Sequence, residues 1–113
     1  MKRYIILEYQ YRDASNYKAQ GRLLLEGIFT EDKVAELTSC LDGHEFFIPE
    51  CVGVPALQSE LYKYAGPNDD DHQYHEFCGI RTPNEDELKA MEIWGTVDKL
   101  LFSMKAARAR WLP

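Results

Sequence analysis

From Tyr4 to Tyr11 apolar and polar positions alternate: Ile5, Leu7, Tyr9 and Tyr11 fall on one side, and Tyr4, Ile6, Glu8 and Gln10 on the other. A period of two predicts a strand. Arg12-Asp13-Ala14-Ser15-Asn16 carries turn chemistry, and Tyr17 to Phe29 returns to residues that suit a strand, so the two segments are expected to pair as a hairpin. Gly21 is placed to mark a bulge. The period then changes. Thr30 has the form of an N-cap, Glu31 and Asp32 fill a first turn, and Val34, Leu37 and Leu41 follow at helical spacing. Asp42-Gly43 closes this helix of about three turns.

In the middle of the chain, His44 to Ile48 predicts a short strand ended by Pro49. Pro55 opens a second helix carrying Leu57, Leu61 and Tyr64, which Gly66-Pro67-Asn68 stops. His72 to Ile80 reads as a further strand. Thr82-Pro83-Asn84-Glu85 has the form of a capping box, and Leu88, Met91, Trp94, Val97, Leu101 and Met104 then recur at three- and four-residue steps. One long C-terminal helix is expected, weakened at Gly95. The fold class is α+β: a small antiparallel or mixed sheet with an N-terminal hairpin, covered on one face by helices including the long C-terminal one. Residues 1–113 read as one domain, since a chain of 113 residues is the size of a single core.

Composition narrows the function classes. With 45% hydrophobic and 28% charged residues the chain buries enough apolar surface to fold. A net charge of −6 disfavours a nucleic-acid partner, whose phosphates call for Lys and Arg. No apolar run reaches the ~18 residues of a membrane span, so no membrane is expected. Glu8 and Gln10 interrupt the first apolar run, which excludes a secretory leader there. Cys40, Cys51 and Cys78 form no Cys-x-x-Cys pair and read as free, mostly buried thiols in a reducing, cytoplasmic setting. Phosphate-cradling glycine loops and the Gly-x-Ser-x-Gly elbow are both missing. No cofactor is expected.

Phe46-Phe47-Ile48-Pro49-Glu50, Val52-Gly53, Pro55 and Leu57-Gln58, followed by Asp70-Asp71-His72 and His75-Glu76, resembles a small family of uncharacterised domains. The resemblance implies a shared use of this segment and carries over no catalytic residue.

Two groups of residues bear candidate chemistry. In the first, Asp70, Asp71, His72, His75 and Glu76 combine oxygen and imidazole donors that can ligate a metal. On a strand, however, His72 and His75 point to opposite faces, and a solvated acidic turn accounts for the same residues. These groups also underlie the alternative reading, a metal-dependent or His/acid-dependent small enzyme. The second group suits binding. Tyr9, Tyr11 and Tyr17 lie on the hairpin and would serve a partner or a second copy if they share an uncovered face. Phe47 lies in the segment from Phe46 to Leu57, and Arg108 and Trp111 belong to a C-terminal stretch whose side-chain charges after Asp98 are all positive. The expectation is a small interaction or regulatory domain without catalysis, engaging a protein partner or forming a homodimer.

Overall fold

The computed structural model describes residues 2–13, 16–58 and 73–111. Its first two strands are the expected hairpin: β1 (Tyr4–Arg12) pairs antiparallel with β2 (Lys18–Glu26), from Tyr4 opposite Glu26 to Arg12 opposite Lys18. Asp13 closes the turn, its carboxylate accepting the Tyr17 N–H at 2.9 Å. Helix α1 (Glu31–Ser39) starts at Thr30, whose hydroxyl accepts the Lys33 N–H. β3 is only Phe46–Phe47, and Pro49 does not merely end it. Proline fits the first position of a helix, and a short α2 (Pro49–Val52) begins there. The helix expected after Pro55 lies, from residue 59 onward, outside the described residues.

β4 (His75–Arg81) pairs antiparallel with β1, so β1 runs through the middle of the sheet. The bulge sits in β4 rather than at Gly21. Tyr9 is opposite Phe77 and Glu8 opposite Gly79, leaving Cys78 as the extra residue beside a glycine at φ +152°. Gly21 instead permits a close approach: a Cβ there would lie 2.8 Å from Cζ of Tyr9 and 3.0 Å from Cδ2 of Leu57.

The single long C-terminal helix is divided in the structure. Helix α3 (Glu85–Ala90) ends at Met91, strand β5 (Ile93–Thr96) pairs parallel with β2, and helix α4 (Val97–Ala107) follows, capped by Thr96. Helical spacing alone predicted continuity. β2 offers a free edge, and Ile93 and Trp94 are as well suited to a strand as to a helix, so tertiary pairing overrides the local period. The sheet order is β3-β4-β1-β2-β5.

One sheet face, with Leu7, Tyr9, Tyr11, Leu23 and Leu25, packs into the core with Leu37, Phe47 and Val54 and with the inner side of α4. α4 buries Val97, Leu100, Leu101, Met104 and Ala107, each buried leucine being worth about 1.5–3 kcal/mol relative to exposure. Trp111 closes this layer, its indole N–H donating to the Cys40 carbonyl at 2.7 Å. The other face carries a separate buried pair, Ile6 opposite Leu24, which lies outside the main core.

Candidate interaction surface

Most residues singled out for binding are core. Tyr9 and Tyr11 are only 2% and 0% exposed, so they do not lie on an uncovered face. They share a side with Leu7, as their alternation requires, and that side is the one the helices cover. Tyr9 donates its hydroxyl to the Pro55 carbonyl at 2.7 Å, and burial pushes its pKa up to about 12. Phe47 and Trp111 are buried as well, because each fills space between the sheet and the chain around α1 and α2. Tyr17 and Arg108 are exposed, at the hairpin turn and the C-terminal turn.

His75 is fully buried among Tyr9, Tyr11 and Phe47, with the Tyr11 ring 5.1 Å away. Its Nε2 accepts the Leu57 N–H at 3.0 Å, which makes Nδ1 the protonated nitrogen and the donor to the Gln73 carbonyl at 3.1 Å. The ring pins the loop that follows α2 to the start of β4. Glu76 points to the opposite face, where it meets Arg12 at 3.1 Å and accepts from Gln10 at 2.6 Å. Two side chains on opposite sheet faces do not converge on one ion. Asp70, Asp71 and His72 lie outside the described residues. Among the described residues no three His, Cys, Asp or Glu side chains gather as metal ligands, and no helix is long and apolar enough to cross a membrane.

The solvent side of the sheet is ionic. Glu8 pairs with Arg81 at 3.3 Å, and Glu87 from α3 takes both terminal nitrogens of Arg81 at 2.7 Å and Nη1 of Arg22 at 3.1 Å. Two shallow clefts of about 330 and 270 Å³ open here between β1 and β2, one bordered by Arg22 and Arg81 and the other by Gln10 and Cys78. The Arg81 hydrogen bonds and the Asn84 N–H hold the Glu87 carboxyl down at about 2, and Glu87 in turn raises the pKa of Arg81. Burial and the carboxylates of Glu76, Glu8 and Glu45 push the Cys78 thiol up, so it is not an activated nucleophile.

Glu87 was not singled out in the sequence, yet it organises α3. The capping box forms two residues later than its spacing suggested: Asn84 Oδ1 accepts the Glu87 N–H at 2.8 Å, and Glu87 Oε1 accepts the Asn84 N–H at 3.0 Å. Glu87 is the only buried residue of α3. The helix therefore lies charge-inward, and its leucine, Leu88, turns to solvent at 45% exposure. Ile93 on the edge strand β5 is 48% exposed. Ile93 also lines a cleft of about 380 Å³, together with Arg22, Leu23, Leu24, Pro55, Met91, Glu92 and Trp94. Trp94 is fixed in this wall, donating to the Gly53 carbonyl at 2.9 Å beneath the Lys99 ammonium. Phe102, 75% exposed on α4, has Asp98, Lys99 and Lys105 as neighbours three or four positions away on the helix surface. No family model, curated protein or solved structure matches the chain.

Proposed function

We propose that this chain is a small interaction domain that acts without catalysis and binds a protein partner through the surface built by α3 and β5. The observation that carries this reading is the reversed orientation of α3, which buries Glu87 and presents Leu88 outward. A surface helix gains stability by turning its apolar residues inward. Keeping Leu88 and Ile93 outside, the latter in the wall of a cleft of mixed apolar and charged lining, forgoes that gain and leaves a surface suited to being covered by another molecule. The binding role first assigned to Tyr9, Tyr11, Phe47 and Trp111 passes to Leu88, Met91, Ile93 and Trp94.

Site-specific photo-crosslinking in extract of the source cells tests this. A photoreactive residue at Leu88 or Ile93 is expected to yield a discrete protein adduct, while the same residue at Tyr17 or Phe102 yields none. Adducts of equal intensity at all four positions, or none at Leu88 and Ile93, overturn the assignment.

A further inference from the structure

Three aromatic side chains fasten the strap that runs from Gly53 to Leu57, each through a polar ring atom to the strap backbone. Trp94 donates to the Gly53 carbonyl at 2.9 Å, Tyr9 donates to the Pro55 carbonyl at 2.7 Å, and His75 accepts the Leu57 N–H at 3.0 Å. Only the last fastener depends on a group that titrates near neutral pH. The indole N–H does not titrate, and the Tyr9 hydroxyl keeps its proton up to about 12. We propose that His75 is an acid-sensitive latch: protonation of its Nε2 releases the Leu57 end of the strap while the Gly53 and Pro55 ends stay fastened.

Both ring nitrogens matter. Nδ1 already carries the proton donated to the Gln73 carbonyl at 3.1 Å, so a second proton must go to Nε2. There it points at the Leu57 N–H, and two donors do not make a hydrogen bond. The ring is fully buried, which also disfavours the charged form. From β1 the phenols of Tyr9 and Tyr11 lie against it, and from β3 Phe47 does. Asp13, two positions after Tyr11 and buried, gives its carboxylate to the Tyr17 N–H at 2.9 Å. Glu76, next along β4, meets Arg12 on the opposite face at 3.1 Å. α1 and α4 bury only apolar side chains, and the thiols of Cys40 and Cys51 complete this core. Once the strap end opens, an imidazole in water takes up a proton below about 6.5. The closed strap is therefore favoured in full above about 6.5. As pH falls below that, the opening equilibrium rises by up to about tenfold per unit. Pro55 and Trp94 also line the cleft that contains Ile93, so the strap forms part of its wall. The latch is independent of what that surface binds.

Amide exchange of the full chain, followed by NMR from about pH 8 to about pH 5, tests the latch. After correction for intrinsic exchange, protection of the Leu57 amide is expected to fall by up to about tenfold per unit below about 6.5. The Val54 amide, bonded to the Pro49 carbonyl at 3.0 Å, should keep its protection over the same range. Leu57 protection that ignores pH, or that falls in step with Val54 and with β1, overturns the proposal. His75→Gln offers an acceptor without a titrating group, so it is expected to flatten the Leu57 profile, and an acid slope that survives it overturns the latch. The nitrogen NMR signals of the wild-type imidazole give a second reading that needs no variant. A neutral ring protonated at Nδ1 is expected at about pH 8, and an imidazolium there, or a neutral ring protonated at Nε2, overturns the proposal.

Discussion

Helices α3 and α4 flank the same short strand, yet they are attached by different physics. α4 is held as an amphipathic helix should be, with five apolar side chains in the core and ion pairs such as Lys33–Asp98 and Lys105–Glu36 at its outer margin. α3 is held by one carboxylate reaching two guanidinium groups, and its leucine is outside. Apolar docking is non-directional and tolerates solvent changes that do not alter water structure. Ionic docking depends on geometry and protonation, and it frees the apolar residues of the helix for another contact. The difference teaches that a helix's inward residue, rather than its exposed residue alone, reveals which surface is left for a partner.

The comparison can be broken from the α4 side first. Leu100→Ala, in a fully buried position, is expected to cost about 2–5 kcal/mol of unfolding free energy in denaturant titration. A loss under about 1 kcal/mol would mean that α4 is not held by its apolar face. Gly21→Ala comes next, at about 1–3 kcal/mol, because its new methyl meets the Tyr9 ring and Leu57. Tyr9→Phe should lose about 1 kcal/mol with the hydrogen bond to Pro55. It should also remove an alkaline slope. The Tyr9 pKa is raised from 10.0 to about 12 on folding, so its stabilising effect is complete below about 10 and is lost as pH rises to about 12.

On the α3 side, Glu87→Gln keeps the side-chain shape and removes the charge. Amide exchange over Glu85–Met91 should accelerate while the α4 amides stay protected. The sign with pH is opposite to that of Tyr9. The Glu87 pKa is lowered from 4.5 to about 2, so the wild-type advantage over Glu87→Gln is present above about 4.5 and disappears as pH falls through about 2. An advantage that persisted at the acid limit would show that the charge of Glu87 is not what holds α3. Smallest of all, Leu88→Glu should shift stability by no more than about 0.5 kcal/mol in the same titration, since Leu88 contributes little to the core.

What was legible in the sequence was local. The alternation of β1, the hairpin turn and the Thr30 cap each depend on neighbours within a few residues, and each is present in the structure. Tyr9 and Tyr11 were correctly placed on one side with Leu7, but which side the helices cover is decided by residues such as Leu100 and Met104 that arrive much later in the chain. The break between α3 and α4 was hidden for the same reason, because Ile93–Thr96 becomes a strand only beside β2. Glu87 looked like an ordinary acid of a capping region. Its burial needs Arg22, separated by 65 positions, and no local pattern announces that pairing.

The central place of β1 also bears on synthesis. β1 and β2 are adjacent in the chain and form an early, local hairpin, whereas β4, the other neighbour of β1, begins only at His75, and the covering α4 later still at Val97. While the chain is being made, the hairpin face bearing Leu7, Tyr9, Tyr11, Leu23 and Leu25 has neither its second strand nor its lid. Its completion is a non-local event and hence the slow one. Translation speed and holding chaperones therefore act most strongly on this interval, when an unfinished sheet displays its tyrosines to everything else in the cell.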